Sequence, residues 1–135
     1  SLVQMSLACA DTLQGSKGKD RLLGGDHKDV LSGGIGADVF DYDALSHSAP
    51  GAADRITDLA ANDVIDLSFI DANTTIANNQ AFVLSASHTA AGQAVLSYDA
   101  GTDRTSLALY VDNDNVIDGL VVMNGDHTGH DNFVL

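Results

Sequence analysis

Between residues 13 and 41 an apolar residue recurs at every ninth position. Leu13, Leu22, Leu31 and Phe40 mark the period, and glycine and polar residues fill the intervals. Residues 15–23 read Gly-Ser-Lys-Gly-Lys-Asp-Arg-Leu-Leu, residues 24–32 Gly-Gly-Asp-His-Lys-Asp-Val-Leu-Ser, and residues 33–41 Gly-Gly-Ile-Gly-Ala-Asp-Val-Phe-Asp. Gly15, Gly24 and Gly33 share the first position, and Asp20, Asp29 and Asp38 the sixth. Counting back places Asp11 in the same register, so a degenerate repeat covers about residues 6–14. The last three residues of each unit predict a short strand whose middle side chain points inward. The first six predict a tight loop. Two units make one turn of a flattened coil, so each loop stacks on the next but one. Asp20 is then expected to face Asp38, and Asp29 to face Asp11 on one side and a later segment on the other.

The period stops after Phe40. Residues 42–53 predict a loop with at most a short helical turn, and Pro50-Gly51 marks a reversal. Residues 54–68 mix apolar residues with Asp, and Ile56, Leu59, Val64, Ile65 and Leu67 are expected to face a core. Runs at 81–85, 93–98, 105–111 and 116–123 read as antiparallel strands, with polar turns at 99–103 and 112–115 between them. No helix longer than about two turns is expected. The fold class is all-β.

Charge narrows the function. The 135-residue chain carries a formal charge of −13, and each of its 19 acidic residues is Asp. Asp disfavours helix and favours turns and cation ligation. Such a chain has no electrostatic footing on nucleic acid or an anionic membrane. Its basic cluster, Lys17, Lys19, Arg21 and Lys28, is interleaved with Asp20, Asp26 and Asp29. No apolar run reaches the roughly 20 residues of a membrane-spanning helix. The single Cys9 excludes an intrachain disulfide or a cysteine-rich zinc site. The opening Ser1-Leu2 is expected to be vector-derived, and the chain a piece of a longer one.

The repeat matches the nonapeptide pattern G-G-x-G-x-D-x-U-x of calcium-binding β-helices. Glycines at the first, second and fourth positions permit positive φ, which turns carbonyls into the loop; here these are Gly15, Gly18, Gly24, Gly25, Gly33, Gly34 and Gly36. The sixth-position Asp adds a carboxylate. Carboxylate and carbonyl oxygens suit Ca²⁺, which takes 6–8 oxygens in flexible geometry, better than Mg²⁺. Ser16 and His27 replace glycines; Ser16 fits if its φ stays negative, and His27 is expected to be mildly strained. Two facing carboxylates repel by about 4 kcal/mol at an effective dielectric near 20. Three inward side chains cannot offset that repulsion together with the ordering of residues 15–41, so the repeat is expected to be frayed without the ion.

Three segments in order carry a resemblance: Gly33-Gly-Ile-Gly-Ala-Asp38-Val-Phe40, Ala53-Asp54-Arg-Ile-Thr-Asp58-Leu, and Asp63-Val-Ile-Asp66-Leu-Ser68. Over about residues 11–135 the chain resembles the C-terminal RTX (glycine–aspartate nonapeptide repeat) domain of serralysin-type metalloproteases, which leave the cell by type I secretion. The repeat modules of alginate epimerases are similar. The resemblance implies a parallel β-roll with calcium in its turns, capped by antiparallel strands. On this reading residues 1–10 are an N-terminal extension, 11–41 the roll and 42–135 the cap. Asp54 and Asp58 resemble the acidic residues that close the family's last calcium turn, and Asp58 is expected to cap loop 24–29. Leu59 and Ala61 depart from the family's usual Phe and Gly. The tail Asp131-Asn-Phe-Val-Leu135 reads as a last core strand and resembles the terminus that type I exporters recognise. The implied partners are calcium ions, an upstream domain of the same polypeptide and the exporter. The implied location is outside a Gram-negative cell.

Other chemistries find less support. Asp112-Asn-Asp114-Asn-Val-Ile-Asp118 fails as an EF-hand, because Ile117 replaces the obligatory glycine and Met123 stands where the bidentate Glu belongs. It remains a polar turn with an option on calcium. His127 and His130 lie three apart in a Gly/Asp-rich stretch, a poor zinc pattern. Without Glu there is no His-Glu-x-x-His, and no Gly-x-Ser-x-Gly occurs. The chain is therefore expected to be a non-enzymatic calcium-binding module. The alternative is a polysaccharide-binding accessory module like those of alginate epimerases, which needs an exposed basic or aromatic face that only Tyr42, Tyr98 and Tyr110, with few cations, could furnish.

Overall fold

The computed structural model describes residues 3–5 and 9–135. Residues 6–8 of the degenerate repeat and 1–2 of the expected extension lie outside the described residues. Among the described residues twelve strands follow one another: β1 (Val3–Met5), β2 (Thr12–Gln14), β3 (Arg21–Leu23), β4 (Val30–Ser32), β5 (Val39–Asp41), β6 (Asp54–Ile56), β7 (Val64–Asp66), β8 (Val83–Ser85), β9 (Gln93–Asp99), β10 (Arg104–Tyr110), β11 (Gly119–Asn124) and β12 (Phe133–Val134). A 3₁₀ turn, Leu45–Ser48, lies within the loop expected at 42–53.

The first seven strands alternate between two sheets. One is ordered β1-β3-β5-β7-β12, the other β2-β4-β6-β11-β10-β9-β8. This is a parallel β-roll. Leu13 pairs with Leu31 and Leu22 with Phe40, each eighteen residues on, as two nine-residue units per turn require. The ladder reaches further towards the N-terminus, where β1 pairs in parallel with β3. It also continues past the repeat: Leu31 pairs with Ile56 and Phe40 with Ile65. Those steps are twenty-five residues, and the seven extra residues are accommodated in the segment carrying the 3₁₀ turn.

The inward positions stack into one core. Leu22, Leu31, Phe40, Ile56, Ile65, Leu107 and Met123 are fully solvent-excluded. Burying each such side chain contributes roughly 1.5–3 kcal/mol. Tyr42 and Phe82 are buried with them. Val64 departs from the expectation: it is half-buried, because alternation in β7 turns Ile65 inward.

The cap is partly antiparallel. β9, β10 and β11 form an antiparallel meander. β11 then joins the roll in parallel with β6. β8 also differs from expectation, running parallel to β9. Gly92 at φ +87° returns the chain to the start of β8, where the Val83 N–H donates to the Gly92 carbonyl at 2.9 Å. The strand expected at 116–123 begins only at Gly119, because residues 112–118 form a turn in which the Val111 N–H donates to Asp118 Oδ2 at 2.8 Å. β12 closes the other sheet against β7, so the tail is the last core strand.

Candidate metal centre

The roll has two loop edges. Loops 15–20, 33–38 and 57–63 line one, and loop 24–29 and the 42–53 segment line the other. The sixth-position Asp sits at the end of its loop, and the carboxylates of Asp29, Asp38, Asp54 and Asp63 each accept a backbone N–H from the rung stacked on it. On the first edge Asp20 N–H donates to Asp38 Oδ1 at 2.9 Å, and Asp38 N–H to Asp63 Oδ1 at 2.9 Å. On the second, Asp11 N–H donates to Asp29 Oδ1 at 2.8 Å, and Asp29 N–H to Asp54 Oδ1 at 2.8 Å. The expected facing of Asp20 with Asp38 and of Asp29 with Asp11 is present, and the later segment that Asp29 meets is Asp54.

These contacts use only part of each carboxylate. Asp20, Asp29, Asp38 and Asp54 are buried, yet Asp20 Oδ1, Asp29 Oδ2, Asp38 Oδ2 and Asp54 Oδ2 have no hydrogen-bond partner. A solvent-excluded carboxylate oxygen without a partner carries a desolvation penalty that a cation removes. The electrostatics of the carboxyls point the same way. Burial pushes the Asp29 and Asp38 carboxyls above the ordinary range, against the lowering effect of their backbone hydrogen bonds. Asp54 is pushed up to about 7, first by burial and then by the neighbouring Asp29 charge. Tyr42, wholly buried beside Asp54, has its hydroxyl raised well above its usual range by burial and by these two carboxylates.

The glycines explain how the oxygens come so close. A Cβ on Gly15 would meet Asp20 Oδ2 at 2.8 Å and would collide with the Gly33 carbonyl oxygen. One on Gly24 would collide with Asp29 Oδ2 and meet Asp54 Oδ2 at 3.0 Å. One on Gly33 would collide with Asp38 Oδ2. First-position glycines are thus required by close approach. Positive φ belongs instead to the second and fourth positions, at Gly25, Gly34, Gly18 and Gly36. His27 shares the fourth position and adopts φ +84°, as expected, while Ser16 keeps out of the left-handed region. Ser16 also closes its own loop, donating its N–H to Asp20 Oδ2 at 2.8 Å. Loops 15–20 and 33–38 are tied by Gly18 N–H to the Ile35 carbonyl at 2.8 Å and Ile35 N–H to the Ser16 carbonyl at 2.9 Å.

Asp58 does not cap loop 24–29. It follows β6, which stacks on β4, so it meets the residues after β4. Its oxygens accept from Gly33 N–H at 2.9 Å, Gly34 N–H at 2.9 Å and Ser32 Oγ–H at 2.7 Å. Both oxygens are occupied, so Asp58 closes the loop stack with hydrogen bonds. Asp63 holds the sixth position of the last rung, nine residues after Asp54. It too is satisfied, by Asp38 N–H and by Ala60 N–H at 2.8 Å. The missed signal was the nine-residue spacing of Asp54 to Asp63 and Ile56 to Ile65. Asp112, Asp114 and Asp118 bring carboxylate oxygens within 4.8 Å of one another, but Asp112 and Asp114 each take a backbone N–H of the turn itself and Asp118 that of Val111. His127 and His130 direct ring nitrogens at the carbonyls of Asn124 and Asn132, at 2.7 and 3.2 Å.

The match to known proteins follows this architecture. The model of the Peptidase M10 serralysin C-terminal family matches residues 6–135. The chain belongs to this family. Its serralysin-type roll is similar to two solved solution structures, both subunits of the Azotobacter vinelandii mannuronan C5-epimerase. The AlgE6R3 subunit is 25% identical with a TM-score of 0.57, covering 98% of this chain and 78% of its own. The AlgE6R2 subunit is 21% identical with a TM-score of 0.63, covering 99% and 91%. No curated protein sequence matches the chain. The serralysin C-terminal domain is a calcium-binding repeat module, and the buried oxygens of this chain have the chemistry that calcium requires.

Proposed function

We propose that the chain is a non-enzymatic module whose roll is held shut by Ca²⁺. The observation that carries this reading is the set of four buried, partnerless carboxylate oxygens on Asp20, Asp29, Asp38 and Asp54, of which those of Asp29, Asp38 and Asp54 lie against Gly24 and Gly33. Asp20 and Asp38, with the Gly33 and Gly18 carbonyls, hold one ion; Asp29 and Asp54, with Asp11 and the carbonyls of loop 24–29, hold another. Bound Ca²⁺ supplies the positive charge that the desolvated carboxylates lack. The protein's part is to fix the loops, exclude water and keep second oxygens free.

The module then acts as a folding switch. Where calcium is scarce, repulsion between buried carboxylates keeps the roll open, and the chain stays fit for export through a type I system that reads the Asp131–Leu135 tail. Outside, calcium closes the roll, which steadies an upstream domain of the same polypeptide. Isothermal calorimetry with CaCl₂ on metal-stripped protein tests the first step: saturable binding of about two ions supports it, and no binding heat overturns it. Export of a fused reporter with and without residues 131–135 tests the second.

A further inference from the structure

We propose that the outer face of the β4-β6-β11 sheet holds an anion-binding cleft that takes a single oxyanion group, a carboxylate or a sulfate. The cleft has a volume of about 260 Å³, and Lys28, Arg55 and Arg104 line it together with Val30, Val122 and the Pro50-Gly51 turn. Lys and Arg number six in the whole chain against 19 Asp, so half of these cations share one hollow. No carboxylate lines it.

Strand register builds the floor. Arg55 pairs with Val30 on one side and Val122 on the other, so Val30, Arg55 and Val122 form a row across three strands. Their inward neighbours Leu31, Ile56, Val121 and Met123 are in the core, which leaves this row facing out. Arg104 joins from β10 and Lys28 from the end of loop 24–29. Asp29 and Asp54, next to Lys28 and Arg55 in sequence, are buried on the opposite, inward side, while Asp103 beside Arg104 and Asp99 across the ladder from it are exposed and accept from the Tyr98 hydroxyl and the Gly101 N–H.

The cations are uncommitted. Among the described residues the ion pairs of Lys and Arg belong to Arg21, with Asp41 and, at 3.8 Å, Asp66. Arg55 Nε is solvent-excluded and has no hydrogen-bond partner. Leaving a buried guanidinium N–H unpaired is costly, and a bound oxyanion satisfies it. Two guanidinium forks and one ammonium over an apolar floor suit a planar or tetrahedral group with several oxygens. The overall negative charge does not forbid this, since at physiological ionic strength charges beyond about 8 Å are screened.

The proposal is separate from the calcium reading, because no side chain of the cleft supplies a ligand oxygen. Its test uses the whole calcium-loaded chain at constant ionic strength, titrated with sodium sulfate and, separately, sodium glucuronate against sodium chloride. The arginine Nε–Hε NMR signals are followed. Saturable shifts confined to Arg55 and Arg104 are expected, with affinity lowered at least tenfold in Arg104→Gln and several-fold in Lys28→Gln. Lys17→Gln should respond as the unaltered chain does. The stronger of the two probes assigns the source as a free ion or an acidic sugar. Arg104 and Lys28 are exposed, so these variants keep the fold, which an unchanged melting temperature verifies. No saturable shift with either probe, or an equal response in Arg104→Gln and Lys17→Gln, overturns the proposal.

Discussion

Asp54 shows at the scale of one residue how the site works. Its carboxyl titrates near 7 in the folded chain, against an unfolded value of 3.8. In that interval the metal-free fold holds a proton that the unfolded chain has released. Stability from this group is therefore complete below about pH 4 and is lost as pH rises through 7. Calcium must displace the proton to use the oxygen. Calorimetry at pH 6.5 in buffers of different ionisation enthalpy should show proton release on calcium binding. Asp54→Asn should reduce that release, and buffer-independent heats in the unaltered chain would contradict the assignment. The paired Asp20→Ala and Asp38→Ala change should remove one bound ion and leave the Asp29–Asp54 edge loaded. An unchanged stoichiometry would refute that pairing. The sixth-position register made Asp20, Asp29 and Asp38 legible in the sequence. It did not show that Asp58 spends both oxygens on hydrogen bonds, because loop 33–34 reaches it only through the twenty-five-residue step.

At the scale of elements, each rung is a loop that must admit oxygens and a strand that must bury one side chain. Gly24→Ala places a methyl group where Asp29 Oδ2 and Asp54 Oδ2 converge. It should weaken calcium at that edge more than tenfold, measured by titration, while Gly51→Ala, with open space around it, should leave affinity unchanged. Ile65→Ala should cost about 2–5 kcal/mol in denaturant unfolding of the calcium-loaded form, whereas Ile35→Ala, 70% exposed, should stay within about 0.5 kcal/mol. The rungs through Phe40 were plain from the nine-residue period. Those at Ile56 and Ile65 were disguised, since the seven-residue insertion breaks the count from Phe40 while keeping nine between Ile56 and Ile65. The direction of β8 was illegible for another reason: strand-forming residues state a pairing surface and leave its orientation to the loop. Tyr42, read as a possible exposed aromatic, is 1% exposed, because the insertion folds its ring into the core beside Asp54.

At the scale of the molecule, two kinds of interior are stacked in one roll. An apolar column of Leu22, Leu31, Phe40, Ile56 and Ile65 runs between the sheets, and partnerless carboxylates lie along both edges. The first favours closure in any solution, and the second opposes it unless a divalent ion is present. The meander β9-β10-β11 carries no such acids and packs its own apolar residues, so it is expected to retain more order than the roll when calcium is withdrawn. The most direct measurement is thermal unfolding of the purified chain followed by far-UV circular dichroism, first in excess chelator and then with calcium restored. The account predicts a loss of strand signal or a sharply lower melting temperature in chelator, recovered on adding calcium and not on adding magnesium at the same ionic strength. An identical spectrum and melting temperature in both conditions would contradict it.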